Sequence, residues 1–182
     1  SDHHVMTGAT PHPMPVVCGH EGAGVVEQVG PGVTRVAPGD HVVLSWAPAC
    51  GACFFCHADL PAQCETFLTP IWAGTMMDGT TRLRLPAGDG TGAPVYHFSA
   101  LATFAEKTVV PESCCVAVRR DVPLDVAALV GCCVATGFCA ARVRAKVEPG
   151  ARVAVFGCGG VGLNIIQGAA LAGASRVIAV DV

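Results

Sequence analysis

Four closely spaced cysteines constrain the fold of this chain more than any other feature. They form a C-x2-C-x2-C-x7-C array made of Cys50, Cys53, Cys56 and Cys64. Each C-x2-C turn directs two sulfurs to the same side, and four thiolates complete the tetrahedral coordination of one zinc ion. A zinc ion with four protein ligands has no open position. We therefore predict a structural zinc that holds a lobe at residues 45–70, the zinc lobe, and takes no part in chemistry.

Two other uses of these cysteines fit the sequence less well. Disulfides between sulfurs so close along the chain would close strained local loops, and a redox pair would need a thioredoxin-like βαβ context. The chain has 11 cysteines and does not open with a charged and then apolar leader. That pattern favours metal ligands in a reducing compartment, so we expect a cytoplasmic protein.

A glycine-rich turn near residue 160 is the second strong constraint. The apolar run "ARVAVFG" leads into a G-x-G-x-x-G turn that opens a helix, which is the context of a dinucleotide-binding site. Its predicted cofactor residues are Gly157, Gly159, Gly160, Val161 and Gly162. The next strand ends at Asp181, whose carboxylate suits the ribose diol of NAD and repels the 2′-phosphate of NADP. The pattern predicts a strand, a helix and a second strand that bind NAD.

The rest of the chain alternates apolar runs with turns. Pro149-Gly150 marks a domain boundary, and helical spacing from Leu124 onward predicts two helical segments around Gly131. The predicted strands are 16–18, 24–29, 40–44 and 103–110, residues 45–70 are predicted as a loop, and residues 86–94 as a flexible tip.

Charge and hydropathy exclude several kinds of partner. The formal net charge is −3 and no basic run is present, so we expect no nucleic acid and no anionic membrane surface as partner. Residues 153–175 carry no charge over a length that would span a bilayer. The glycines in that stretch are better explained by the nucleotide-binding turn, so we predict no membrane span and a small-molecule partner.

Other polar residues are ambiguous when each is taken alone. His20 and Glu21 lie in a glycine-rich turn, "GHEGAG", and a histidine there fits a hydrogen-bonded loop residue as well as a metal ligand. Cys132, in "LVGCCVATG", also fits a plain core position. Together with the cysteine array, "GDHV", "TFAEKTVV" and the glycine turn, however, the sequence resembles the zinc-containing alcohol dehydrogenases of the medium-chain dehydrogenase/reductase family along all of its length.

The resemblance implies a second zinc, which is catalytic. His20 and Cys132 match two of its ligands, and Glu21 matches a neighbouring acid that can approach the metal. The family's other thiolate belongs to a Cys-x-Ser-Asp segment, of which this sequence contains Ser1 and Asp2. Asp2 matches an acid that orients a histidine ligand. We expect this missing ligand to lie upstream, and the 182 residues alone to be inactive.

Further roles follow from the same resemblance. Ser1 and His4 match a relay that carries the alcohol proton outward, although "SDHH" alone reads as a polar chain end. Thr136 matches a residue that packs against the nicotinamide. Trp46 and Phe98 match walls of the substrate pocket, and each fits a core aromatic residue equally well.

The implied fold is a β-rich GroES-like catalytic domain at residues 1–148, followed at 149–182 by the first βαβ unit of a Rossmann domain. The implied activity is the reversible oxidation of an alcohol to an aldehyde or ketone by hydride transfer to NAD, with zinc as Lewis acid, in a homo-oligomer at full length. Two alternatives stay open. One is oxidation of a thiol adduct of formaldehyde, because the stretch from Gly74 to Arg82 resembles that branch of the family. The other is a non-catalytic member that keeps only the structural zinc and the nucleotide fold.

Overall fold

Short strands and short helices build the first part of the chain. A computed structural model describes residues 1–87 and 91–182, which divide into two units, Ser1–Ala128 and Leu129–Val182. The strands of the first unit are β1 (Val16–Val17), β2 (Gly22–Val25), β3 (His41–Leu44), β4 (Leu83–Arg84), β5 (Pro94–His97) and β6 (Cys115–Ala117). Its helices are α1 (Asp2–Met6), α2 (Phe54–His57) and α3 (Glu65–Ala73), with 3₁₀ turns at Pro61–Gln63, Phe98–Ala100 and Glu112–Cys114.

These strands form two sheets of three strands. In one, β5 lies between β1, which it meets in parallel, and β4, which it meets antiparallel. In the other, β3 is central and pairs antiparallel with β2 and β6. Val42 and Leu44 of β3 pack with Leu101 and Cys114 in the largest buried cluster, as expected for a central strand whose alternate residues face the core. This sheet fixes the chain that enters the zinc lobe after Leu44.

Three sequence predictions for the first unit need correction. Residues 103–110 do not form a strand. Thr103 and Phe104 donate backbone hydrogen bonds to Gly19 and Cys18, and no ladder to another of the described residues follows them. The predicted strand 24–29 begins earlier and ends earlier, as β2. Residues 45–70 are not a plain loop, because α2, a 3₁₀ turn and most of α3 lie there. Of the predicted flexible tip at 86–94, residues 88–90 lie outside the described residues.

The second unit contains the predicted strand, turn and helix. Strands β7 (Arg152–Phe156) and β8 (Arg176–Val180) pair in parallel, and helix α6 (Gly160–Leu171) connects them. The predicted domain boundary at 148/149 lies inside this unit and stays a prediction about the domains of the full-length protein.

A single helical run precedes the glycine turn. It comprises α4 (Leu124–Leu129), α5 (Ala135–Cys139) and π-helical turns at Val130–Val134 and Ala140–Arg144. The predicted break at Gly131 is wrong, because that glycine lies inside a π-helical turn, which absorbs it without ending the helix.

This run is also the one helix within residues 1–87 and 91–182 that is long and apolar enough to cross a membrane, by length and composition only. Core helices meet the same criterion, and part of the run packs closely against α6: a Cβ atom at Gly137 would lie 2.4 Å from the Val161 carbonyl oxygen.

Candidate metal and cofactor sites

The four sulfurs of the zinc lobe already have the arrangement that one zinc ion requires. All four lie within 4.8 Å of one another, and the Cys50–Cys56 and Cys53–Cys64 sulfur pairs are each 3.9 Å apart. Tetrahedral coordination with Zn–S bonds of about 2.3 Å places sulfurs about 3.8 Å apart. Disulfide sulfurs would lie about 2 Å apart, so this geometry fits a zinc site and not a pair of disulfides.

Local hydrogen bonds favour the thiolate form of Cys50. Its sulfur accepts a hydrogen bond from the Thr66 hydroxyl at 3.3 Å. It also accepts hydrogen bonds from the backbone N–H groups of Ala52 and Cys53, at 3.4 and 3.3 Å. The Thr66 hydroxyl, followed by the Ala52 N–H, lowers the pKa of Cys50 to about 6. Because zinc binds the thiolate, this thiol is prepared for the metal at neutral pH.

Helix α3 holds the lobe together from one side. Phe67 and Ile71, one turn apart, are 5% and 6% exposed and pack with Cys64. The partly buried ligands Cys50, Cys53 and Cys56 lie against the same cluster. The sulfurs are therefore anchored on a small apolar core, and zinc would complete it.

The turn at residues 19–21, the His20 turn, is held by Asp2. One oxygen of the Asp2 carboxylate accepts the Gly19 N–H at 2.6 Å, and the other lies 2.6 Å from His20 Nδ1. With the carboxylate accepting the Nδ1 proton, the lone pair of the ring is on Nε2. Histidine ligands of metals show this arrangement, in which a carboxylate fixes both the tautomer and the orientation of the ring. The predicted role of Asp2 is consistent with this contact.

Close packing around Gly19 and Phe98 explains why the turn adopts this shape. Gly19 has a φ of 101°, and a Cβ there would lie 2.4 Å from Thr103 Oγ1, so only glycine fits. The ring of Phe98, which is 6% exposed, meets the His20 ring edge-on with centroids 5.6 Å apart. Phe98 therefore acts as a buried support of His20, which fits its reading as a core aromatic residue.

The other residues predicted around the catalytic zinc lie in both units of the chain. Ser1 and His4 are exposed, and the bond between them is from the His4 backbone N–H to the Ser1 carbonyl, at 3.0 Å. The partly buried Glu21 accepts a hydrogen bond from Thr103 Oγ1 at its backbone oxygen. In the second unit, Cys132 Sγ lies 3.9 Å from Thr136 Oγ1, one helical turn away. The relay, the approach of Glu21 to a metal and the nicotinamide contact of Thr136 stay predictions.

The glycine turn has the shape that a dinucleotide needs. Gly157 has a φ of 89°, and a Cβ at Gly162 would lie 1.8 Å from the Gly157 carbonyl oxygen, so both positions require glycine. A Cβ at Gly159, which precedes α6, would meet open space. That space and the N-terminus of α6, where Gly160, Val161 and Gly162 form the first turn, suit a pyrophosphate.

Asp181 directly follows β8 and contacts the glycine turn. Its carboxylate accepts the Cys158 N–H at 2.6 Å and the Val182 N–H at 2.8 Å. These bonds, the Cys158 N–H first, lower the pKa of Asp181, so the group is charged at neutral pH. The chain thus presents a fixed negative charge beside the glycine turn.

Helix α3 brings to the zinc lobe two residues, Leu68 and Trp72, that were not predicted, and both lie beside Trp46, which was predicted as a wall of the substrate pocket. Trp46 lies where β3 leads into the lobe, and with Leu68 and Trp72 of α3 it lines an apolar groove. The sequence carried a signal for this helix, because its apolar residues recur at helical spacing. They are Cys64, Phe67, Leu68, Ile71 and Trp72.

Known proteins resemble this chain along its length. The family model of the alcohol dehydrogenase GroES-like domain matches residues 1–120. An alcohol dehydrogenase class-3 from Dictyostelium discoideum is 43% identical over the whole chain and 47% of its own length. An S-(hydroxymethyl)glutathione dehydrogenase from Saccharomyces cerevisiae is 46% identical over the whole chain and 46% of its own length. The chain thus spans about half the length of the curated relatives that it matches.

Solved structures agree with this fold. An alcohol dehydrogenase zinc-binding domain protein from Burkholderia ambifaria has a TM-score of 0.83 and 41% identity, over 94% of this chain and 45% of its own. A benzyl alcohol dehydrogenase from Acinetobacter calcoaceticus has a TM-score of 0.82 and 36% identity, over 100% of this chain and 47% of its own. The chain belongs to the family of the alcohol dehydrogenase GroES-like domain. The predicted fold, a β-rich GroES-like domain followed by the start of a Rossmann domain, is confirmed.

Proposed function

We propose that the full-length protein containing this chain is an NAD-dependent zinc alcohol dehydrogenase that interconverts an alcohol and its aldehyde or ketone. Family membership and the names of the relatives support an oxidoreductase of this kind. The four-cysteine lobe supports one structural zinc, and the glycine turn with Asp181 supports NAD.

The contact between Asp2 and His20 carries the proposal. A non-catalytic member of the family would still need its structural zinc and its fold. It would not need a partly buried histidine whose Nδ1 is held 2.6 Å from a carboxylate and whose Nε2 keeps the lone pair. That arrangement prepares a ligand for a second metal ion.

In this proposal each residue of the site has a separate role. When bound, zinc would supply Lewis acidity at the alcohol oxygen and NAD would accept the hydride. Asp2 holds His20 in its ligand orientation, and Cys132 supplies a thiolate. Ser1 and His4 pass the alcohol proton towards solvent, where both side chains are exposed. The N-terminus of α6 binds the pyrophosphate.

Oxidation of a glutathione adduct of formaldehyde is the second candidate. The relatives named as S-(hydroxymethyl)glutathione dehydrogenase, at 46% and 44% identity, favour it. The stretch from Gly74 to Arg82 suggested this alternative, and its polar side chains bind one another. The Arg82 guanidinium contacts both Asp78 and Thr80 and holds the pKa of Asp78 well below its usual range. Arg82 is thus paired within its own loop.

An assay of the zinc-loaded full-length protein with NAD⁺ separates the two candidates. We expect turnover of a free alcohol without glutathione. Turnover of formaldehyde only after glutathione is added, with none for free alcohols, would favour the second candidate. The absence of any turnover with two zinc ions bound would contradict both.

The choice of cofactor is tested at Asp181. A carboxylate that binds the ribose diol and repels the 2′-phosphate predicts a higher kcat/KM with NAD⁺ than with NADP⁺. Asp181→Gly should narrow this ratio at least tenfold, whereas Asp121→Gly, an exposed carboxylate in the other unit, should leave it unchanged. Equal use of NADP⁺ by the unmutated protein would contradict the assignment of Asp181.

A cytoplasmic location, a homo-oligomer at full length and no binding to nucleic acid or membrane stay predictions.

A further inference from the structure

Thr103 contacts the His20 turn on both sides of the histidine. Its backbone N–H donates a hydrogen bond to the Gly19 carbonyl at 3.1 Å, and its hydroxyl donates one to the Glu21 carbonyl at 3.3 Å. The two accepting carbonyls belong to the residues directly before and after His20. The backbone of His20 therefore lies between two groups that a single residue holds.

Two glycines of this segment leave room for the Thr103 side chain. A Cβ at Gly19 would overlap Thr103 Oγ1, and a Cβ at Gly22 would lie 2.5 Å from Thr103 Cγ2 and 2.9 Å from Thr103 Cβ. The hydroxyl of Thr103 is thus packed against one glycine and its methyl group against the other. The segment from Gly19 to Gly22 is shaped to fit around one threonine side chain.

Thr103 is itself held in place by the chain on either side of it. It follows Leu101 and Ala102, which are both 0% exposed. The next residue, Phe104, donates its backbone N–H to the Cys18 carbonyl at 2.9 Å. The contacts of Thr103 with the His20 turn therefore start from a buried and hydrogen-bonded segment.

Asp2 and Thr103 hold different parts of the same histidine. The Asp2 carboxylate lies 2.6 Å from His20 Nδ1 and sets the orientation of the ring. Thr103 binds the backbone carbonyls beside His20 and sets the position from which the ring projects. A metal ligand needs both, because a working site holds its groups within about 0.5 Å of the required geometry.

We propose that Thr103 is a positioning residue for the second zinc, whose hydroxyl fixes the backbone beside His20 so that Nε2 is held in place for the metal. The inference rests on the proposed function, in which His20 is a zinc ligand. Loss of the hydroxyl would remove a donor from the Glu21 carbonyl and loosen the turn. Changes to groups that support a metal ligand cost about 10–100-fold in metal affinity or activity.

Cobalt(II) binding to the full-length protein tests this role. A mild chelator removes the labile metal while the lobe keeps its zinc, and cobalt(II) is then titrated into the second site, where its visible absorption reports the ligand geometry. Thr103→Val keeps the shape of the side chain without the hydroxyl, and it should weaken cobalt(II) affinity about tenfold and change the absorption. Thr103→Ser keeps the hydroxyl and should restore most of the affinity and the original spectrum.

Thr108→Val is the matched control. The Thr108 hydroxyl donates to the Leu101 carbonyl in the same segment, so this variant loses a hydrogen bond of the same kind away from the His20 turn. It should bind cobalt(II) as the unmutated protein does. Unchanged affinity and spectrum in Thr103→Val, or an equal loss of affinity in Thr108→Val, would overturn the proposal. An unmutated protein that takes up no cobalt(II) beside its lobe zinc would overturn the proposed function itself, and this inference with it.

Gly22→Ala provides a second test if Thr103→Val does not fold. The added Cβ would press on Thr103 Cγ2 and should weaken cobalt(II) binding. Combining it with Thr103→Ser removes that methyl group and should recover part of the loss. Equal cobalt(II) affinity in Gly22→Ala and in the double variant would contradict the proposal.

Discussion

The zinc lobe and the His20 turn prepare metal ligands in opposite ways. The lobe draws four sulfurs from fifteen consecutive residues, 50–64, and brings them within 4.8 Å of one another. The His20 turn offers one ring nitrogen, oriented from behind by Asp2, whose position in the sequence is 18 residues away. A zinc ion held by four protein ligands has no open position and takes no part in chemistry. A zinc ion held by three protein ligands keeps a fourth position for a substrate.

The largest expected effect is at His20. His20→Gln in the full-length protein should lower turnover on the order of a thousandfold or more, because Lewis-acid catalysis contributes several kcal/mol and about 1.4 kcal/mol is a factor of ten. The lobe zinc and the Tm should stay close to those of the unmutated protein. Metal content and kcat measured on the same sample check this. Loss of the lobe zinc in this variant would break the separation between the two regions.

Removal of a ligand of the lobe zinc should affect zinc content and Tm first, and turnover only as a consequence. Cys53→Ser leaves three thiolates, and because structural zinc contributes to folding outright, the lobe zinc should be lost and the Tm should fall by roughly 5–10 °C. Activity should fail through unfolding and not through the chemical step. Cys139→Ser, at an exposed cysteine outside the lobe, is the matched control. A Cys53→Ser protein with unchanged Tm and zinc content would show that the lobe needs no metal.

A smaller effect is expected when the support of His20 is weakened. Asp2→Asn keeps the size of the side chain but removes the charge that fixes the Nδ1 tautomer, and outer-shell changes of this kind cost about 10–100-fold in metal affinity or activity. The exposed carboxylate variant Glu27→Gln should show neither loss. If Asp2→Asn lowered the Tm without any change in metal affinity or kcat, Asp2 would be a structural cap only.

The smallest effect concerns the pH at which the lobe releases zinc. A lowered pKa keeps the Cys50 thiolate stable above about 6, so its contribution is complete above the ordinary thiol pKa of 9.0 and is lost as the pH falls through about 6. Thr66→Val removes the first cause of that shift. The pH midpoint of zinc release should therefore rise, because the Cys50 thiolate loses the hydroxyl donor that lowers its pKa most.

The control for this titration is Thr69→Val, on the same helix and outside the sulfur contacts. Identical midpoints in the two valine variants would remove Thr66 from the metal chemistry.

The same contrast explains what could be predicted from the sequence. The cysteine array and the glycine turn are local patterns whose spacing dictates their geometry, so their shape was predictable. The Asp2–His20 contact joins distant residues, and it was expected only through resemblance to a family. Only the structure shows that the Asp2 carboxylate and His20 Nδ1 are 2.6 Å apart.

The errors lie where distant partners decide the structure. Residues 103–110 have strand-like composition, but a strand forms only where a neighbour supplies a ladder. Most of helix α3 was predicted as loop because residues 45–70 are rich in cysteine and show little periodicity. The helix forms although Pro70 removes one of its backbone donors. Burial of Phe67 and Ile71 against the lobe stabilises it. Gly131 suggested a helix break, and a π-helical turn accommodates it.

The central claim, that one metal site is closed and the other open, is tested most directly by counting zinc. Purified full-length protein is analysed for metal, dialysed against a mild chelator, and analysed again together with its turnover. We predict two zinc ions per chain before dialysis and one afterwards, with activity lost along with the first ion and restored by added zinc. Two ions lost together, or activity that persists with a single ion bound, would contradict the account.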